Sequence, residues 1–372
     1  MRQPTLREQK YPIRCIQFVL FVATVLPGCE STQAARPFLT EQVLFKQGDH
    51  GYHTFRIPAL VATPKGSVLA FCEARKNNRR DYGDIDLVLR RSEDGGQTWG
   101  PMSIVDDQGD HTVGNPCPVV DSRTGKIFVP YSIDNQAVHI KESSDDGRSW
   151  SDPVDITKSA LMKDWHWVGP GPGHGIQLQN GRLVVPCWAG VEKDIPYGGP
   201  QISYIFYSDD GGKSWQVGGT GSHDVSDECE VVELAPNTMY MTARGCHDEP
   251  ERAYQFSTDG GLSWTDSKFD PRLPAPPCQG SILRISRKGK SDRNRIIAAW
   301  PGNPQARTRM TVHMSYDECK SWPVAKVIHE GGAAYSDLAL NQQQEILLLF
   351  EKDGYANITL ARFNVAWLTS DK

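Results

Sequence analysis

An eight-residue pattern, S-x-D-x-G-x-[ST]-W, recurs along the chain and restricts its fold more than any other feature. It reads SEDGGQTW from Ser92, SSDDGRSW from Ser143, SDDGGKSW from Ser208 and STDGGLSW from Ser257. A fifth copy, SYDECKSW from Ser315, carries Cys319 where the glycine should be. Start-to-start spacings are 51, 65, 49 and 58 residues, a period expected of propeller blades or a solenoid. The chemistry of the repeat is that of a tight hairpin turn. Its aspartate can accept backbone N–H groups, its glycine can take a positive φ, and its tryptophan offers a large apolar body to wedge between sheets. Segments such as IDLVLRRS before the first copy and ISYIFYSD at the third alternate as strands do. Asn180-Gly181, between GIQLQ and RLVVPCW, marks a further hairpin. The 34 glycines and 25 prolines suit a turn-rich all-β protein. No linker or low-complexity stretch divides residues 41–369, so we expect one domain, a six-bladed β-propeller with roughly 55 residues per blade.

The N-terminal stretch reads differently. Arg2, Arg7, Lys10 and Arg14 form a basic region, and Cys15 to Leu26 (CIQFVLFVATVL) is apolar. That length matches a signal-peptide core and is too short to span a bilayer stably. Leu26-Pro27-Gly28-Cys29 resembles a lipoprotein cleavage box with Cys29 as the acylated residue; ordinary cleavage near Ala34 or Ala35 is the alternative. The expected organisation is a leader at 1–28, a linker at 29–40 and the propeller at 41–369. The protein is then exported: periplasmic, secreted, or held at a membrane through a lipid alone. Seven of the nine cysteines lie beyond this region, without C-x-x-C spacing, a pattern of buried free thiols rather than zinc ligands or a disulfide framework. A net charge of -5 leaves no bulk field for nucleic acid. An anionic substrate would have to be gripped locally.

Function must come from residues that occur once, because a turn repeated blade after blade is structural. Phe55-Arg56-Ile57-Pro58 precedes the first repeat, and RRDYGDIDLVLRRS follows it closely. DECEVVELAPNTMYMTARG places Glu228 sixteen residues before Arg244; RTRMTVHMS carries Arg307; AAYSDLALNQQQEILLLFE places Tyr335 sixteen residues before Glu351. In this order the segments, with the Asp-box repeats, resemble the bacterial-type exo-α-sialidases over essentially the whole chain beyond the leader. GNPCP from Gly114 and GPGHGIQL from Gly171 also resemble sialidase segments. The resemblance implies that Arg56, Arg244 and Arg307 clamp a carboxylate, with Glu351 orienting Arg56. It implies Tyr335 as nucleophile, Glu228 as its base and Asp81 as acid/base, with Arg75 and Trp188 as neighbouring substrate contacts.

The chemistry agrees with these residue types. Sialic acid carries a carboxylate on its anomeric carbon, and guanidiniums hold carboxylates with planar, charge-assisted hydrogen bonds. A carboxylate nucleophile would be repelled there, and sialidases use tyrosine instead. The phenol, with an ordinary pKa of about 10, needs a base at hydrogen-bond distance. Neither metal nor organic cofactor enters this chemistry, and a monomer acting on sialylated glycans is the expectation. Taken singly, each arginine would read as a surface residue and Tyr335 as a packed aromatic; Asp84 and Asp86 compete with Asp81. Alternatives to hydrolysis are trans-sialylation, action on deaminated sialic acid, or a non-catalytic sialoglycan-binding lipoprotein. GPGPGHG from Gly169 reads as a rim loop, not a phosphate loop, since its prolines lack N–H donors. His166 and His174 read as loop residues.

Overall fold

Each of the five repeats closes the same hairpin, between what become the third and fourth strands of a sheet. The first links Ile85–Ser92 to Ser103–Asp106, the third links Gln201–Ser208 to Gln216–Thr220, and the fifth links Thr308–Ser315 to Val324–Leu340. In the first, Ser92 Oγ donates to Asp94 Oδ1 (2.7 Å) and accepts the Gly96 N–H (2.8 Å). Asp94 in turn accepts N–H groups of Gln97 and Thr98 and the Thr98 hydroxyl. The fifth repeat keeps most of this network although Cys319 replaces glycine: its N–H reaches Ser315 Oγ at 3.0 Å, with φ at 63°, and Asp317 accepts the Ser321 N–H and hydroxyl. Tryptophans of the repeats face across to the preceding sheet. Trp150 meets Phe71 edge-on at 5.8 Å between centroids, and Trp215 meets Phe128 at 5.8 Å.

This computed structural model describes residues 36–193, 195 and 199–370, together with 1, 4, 5 and 8. The basic residues of the leader and Cys29 lie outside the described residues. Residues Arg36–Lys372 form one compact unit, an all-β propeller of antiparallel sheets. Thr54–Ala62, Val68–Arg75, Ile85–Ser92 and Ser103–Asp106 make one four-stranded sheet, and Ser226–Ala235, Thr238–Gly245, Glu251–Ser257 and Lys268–Pro274 another. Two five-stranded sheets lie between them in sequence. The last sheet has seven strands, because Val324–Leu340 pairs with Thr308–Ser315 through its first half and with Ile346–Lys352 through its second.

Strands covered on both faces lose the apolar–polar alternation of a half-exposed sheet. Val68–Arg75 is buried at every position. One core cluster joins the first and last sheets through Phe55, Leu60 and Val88 against Leu347, Leu349 and Ile358. The seven described cysteines are free thiols, all buried except Cys246, which is partly so.

Candidate active site

A cavity of about 320 Å³ is lined by Arg56, Arg75, Asp81, Trp188, Glu228, Arg244, Arg307 and Tyr335, among others. Residues separated by as many as 279 positions therefore meet in one place. Glu228 stands on Ser226–Ala235 and Arg244 on the strand beside it; Tyr335 stands at the start of the inner half of Val324–Leu340.

Tyr335 is the point on which the charges converge. Its hydroxyl donates to Glu228 Oε1 at 2.5 Å and lies 3.3 Å from Arg244 Nη1. Arg244 Nη1 also donates to Glu228 Oε2 at 3.0 Å. The guanidinium carbons of Arg56 and Arg307 each sit 5.4 Å from the Tyr335 ring centroid. Burial pushes the phenol well above its ordinary pKa, Glu228 adds to that, and Arg244 and Arg307 oppose it. The phenol therefore keeps its proton at rest, in the hydrogen bond to Glu228.

Arg56 points into the cavity, not outward, through a backbone irregularity. The ladder between Thr54–Ala62 and Val68–Arg75 shifts register between Arg56 and Ala59, and Ile57 takes φ 59°. A β-branched residue rarely adopts that conformation, so strain is stored beside the site. Glu351 holds it: Oε1 accepts Arg56 Nε (2.5 Å) and the Ile57 N–H (2.9 Å), while Oε2 accepts the Tyr335 N–H (3.1 Å).

Asp81 lies on the loop after Val68–Arg75, where Arg75 Nη1 donates to it at 2.8 Å and Arg56 Nη1 approaches to 3.7 Å. Its side chain remains 54% exposed, open to a leaving group or to water. Asp84 pairs with Lys76 at 2.9 Å, and Asp86 accepts the Tyr52 hydroxyl at 2.5 Å; neither lines the cavity. Trp188 is buried and lies 6.3 Å from Trp167, centroid to centroid.

Sequence reasoning missed three further groups. Glu73 pairs with Arg75 at 2.6 Å and accepts the Asn115 N–H; its place two residues before Arg75 on one strand puts both on the same face, a signal that could have found it. Asp227 accepts the Glu228 N–H at 2.6 Å and approaches Arg244 Nε at 3.5 Å. Tyr355 contacts Arg56 and Arg307.

His174 lies between strands, as a loop residue should, but the segment is folded inward and not set on the rim. It is buried, with Nδ1 2.6 Å from Asp337 Oδ1 and 3.6 Å from Glu230 Oε2. Glu230 and Asp337 each follow the site residues Glu228 and Tyr335 by two positions, one pleat further along the same strand faces. Among the described residues this trio is the one group spaced to hold a metal ion. Its oxygens are already engaged in joining sheets, however: Asp337 Oδ2 accepts the Leu60 N–H and Glu230 Oε2 the Ile282 N–H.

The chain matches the family described as a BNR repeat-like domain over residues 61–348. It is 30% identical to an exo-alpha-sialidase of Aspergillus fumigatus, over 91% of this chain and 93% of that protein. It is 31% identical to a sialidase of Micromonospora viridifaciens, over 93% of this chain and 57% of that protein. Among solved structures, the Hadza microbial sialidase Hz136 superposes with a TM-score of 0.80 at 26% identity, covering 88% of this chain and 69% of that one. An intramolecular trans-sialidase of Ruminococcus gnavus shares the fold, with a TM-score of 0.76 at 18% identity, over 88% of this chain and 98% of that one.

Proposed function

The chain belongs to the sialidase family, and from that premise we propose that it removes terminal α-linked sialic acid from glycoconjugates by double displacement on Tyr335. One observation carries the reading. A buried phenol donates to a carboxylate at 2.5 Å while three guanidiniums surround it.

The substrate carboxylate would sit among Arg56, Arg244 and Arg307, placing the anomeric carbon against the Tyr335 oxygen. Glu228 takes the phenolic proton as the oxygen–carbon bond forms, and Asp81 gives a proton to the departing glycosidic oxygen. Asp81 then draws a proton from water as it attacks the same carbon; the bond to the Tyr335 oxygen breaks, and Glu228 gives its proton back to restore the phenol. Two inversions give net retention. Arg75, fixed between Glu73 and Asp81, sets the position of the acid, and Trp188 forms an apolar wall for the sugar.

Water and a sugar hydroxyl are chemically equivalent acceptors in the second step, so hydrolysis and transfer share this machinery. Turnover of a fluorogenic sialoside, with NMR of the released sugar, tests the proposal. Tyr335→Phe should lower kcat by at least about a hundredfold through loss of the nucleophile. The α-anomer should be released first. Undiminished turnover in that variant, or first release of the β-anomer, would reject the assignment.

The proposal extends to architecture and location. Division of the seven-stranded sheet within Val324–Leu340 supports two blades of four strands and six in all. The basic and apolar N-terminal stretch supports export, with Cys29 as a lipid attachment point and the catalytic unit monomeric.

A further inference from the structure

Arg56 leans on Glu351, and Arg244 on Glu228 and Asp227. Arg307 is held differently. Its Nη2 donates to the Pro277 carbonyl at 2.8 Å and its Nη1 to the Tyr355 hydroxyl at 3.2 Å. Among the described residues, Tyr355 is the one side chain hydrogen-bonded to it. The same tyrosine lays its ring 4.2 Å from the guanidinium carbon of Arg56, which also lies 5.4 Å from the Tyr335 ring centroid. One side chain thus touches two like charges: one through its π-face, the other through its oxygen.

The backbone that presents Tyr355 is unusual. It lies in the turn between Ile346–Lys352 and Asn357–Phe363, where Asp353, Gly354 and Tyr355 take φ of 55°, 64° and 71°. Three successive left-handed residues, two of them not glycine, are costly for L-amino acids. Such strain persists where surrounding contacts over-determine it, and it gathers at functional sites. Here it folds the turn back so that the ring packs beside Ile57, Ala334 and Tyr335.

We propose that Tyr355 is a positioning residue for the carboxylate clamp, fixing the separation and tilt of Arg56 and Arg307 so that both address one substrate carboxylate. The inference rests on the sialidase reading above. Unbraced, the two cations would relax apart, and the site would lose affinity for the carboxylate while keeping its nucleophile, base and acid.

The experiment measures kcat and KM on a sialoside, plus binding of an unsaturated sialic acid analogue and of its uncharged carboxamide. Wild type, Tyr355→Phe and Tyr355→Leu are compared. Loss of the hydroxyl alone should weaken the charged analogue about threefold, the worth of one hydrogen bond. Loss of ring and hydroxyl together should weaken it about tenfold or more. KM should rise more than kcat falls, and carboxamide binding should change little. Equal weakening of the charged and uncharged analogues, or unchanged affinity in both variants, would overturn the proposal. The phenylalanine variant decides alone if the leucine variant does not fold. A wild type that binds both analogues but turns over no sialoside would reject the sialidase reading and this inference with it; an active wild type with unaffected variants would reject this inference alone.

Discussion

Asp227 and His313 show how single buried groups set the pH range in which the fold is tight. Burial pushes Asp227 up to about 7, with Glu228 adding to the effect and Arg244 opposing it. A carboxyl that holds its proton more tightly folded than unfolded makes stability fall as pH rises from about 4 to about 7. His313, stacked on Trp300 at 4.7 Å, is driven down to about 4 by burial. The unfolded imidazole gains its proton near pH 6.5 and the folded one does not, so stability falls as pH drops from about 6.5 to about 4, by about 3 kcal/mol in all. The two slopes oppose each other within one window. Asp227→Asn should therefore move the pH of maximum Tm upward and His313→Phe should move it downward. Thermal melts across pH 4–8, an interval chosen to bracket both groups, check this. Shifts in the same direction for both variants would contradict the assignment.

The Asp-box hairpin is the element most legible in the sequence, because everything it needs is local. Serine, aspartate and the positive-φ residue lie within five positions, so the pattern alone located the link between third and fourth strands in five sheets. The fifth copy shows that the turn tolerates Cys319 at φ 63°. Tolerance depends on the neighbouring sheet. Gly212 takes φ 85°, and a Cβ there would come within 2.1 Å of Phe128 Cζ on the adjacent sheet. Gly212→Ala should cost about 2–4 kcal/mol, since backbone strain adds to overpacking of an immobile ring. Chemical denaturation measures this, and a loss below about 1 kcal/mol would mean that the ring can yield. What the sequence did not disclose are the ties between sheets. Asp337 reaches the Leu60 amide across 277 positions, Glu230 the Ile282 amide across 52, and Glu73 the Asn115 amide across 42. An acid that accepts an amide from a distant strand leaves no periodic trace, and His174 went unrecognised for the same reason. The three arginines that line the cavity were located through motif order, whereas Tyr355, presented by a strained turn, carries no motif at all.

For the molecule as a whole, the decisive contact is between its two ends. A propeller whose sheets follow one another in sequence has no covalent link between first and last, and its cavity is defined only while the ring stays shut. Leu39–Lys46 supplies the link by pairing antiparallel with Asn357–Phe363, from Leu39 opposite Phe363 to Lys46 opposite Asn357. Leu44 and Phe45 bury against the cluster that joins the first sheet to the last. Their burial contributes roughly 2–3 kcal/mol each, and the pairing covers the edge of Asn357–Phe363, which would otherwise expose a hydrogen-bonding strand to aggregation. The site depends on this closure directly, since Arg56 comes from the first sheet while Glu351 and Tyr335, which hold and face it, come from the last. A chain beginning at Gly48 should therefore melt at least about 5 °C below one beginning at Arg36, since losing about 5 kcal/mol from a unit of this size moves Tm by roughly 1.5 °C per kcal/mol. Sialoside affinity should fall along with it, because Arg56 would no longer be fixed relative to Arg307. Equal Tm and equal KM for the two chains would show that the ring closes without its terminal strand.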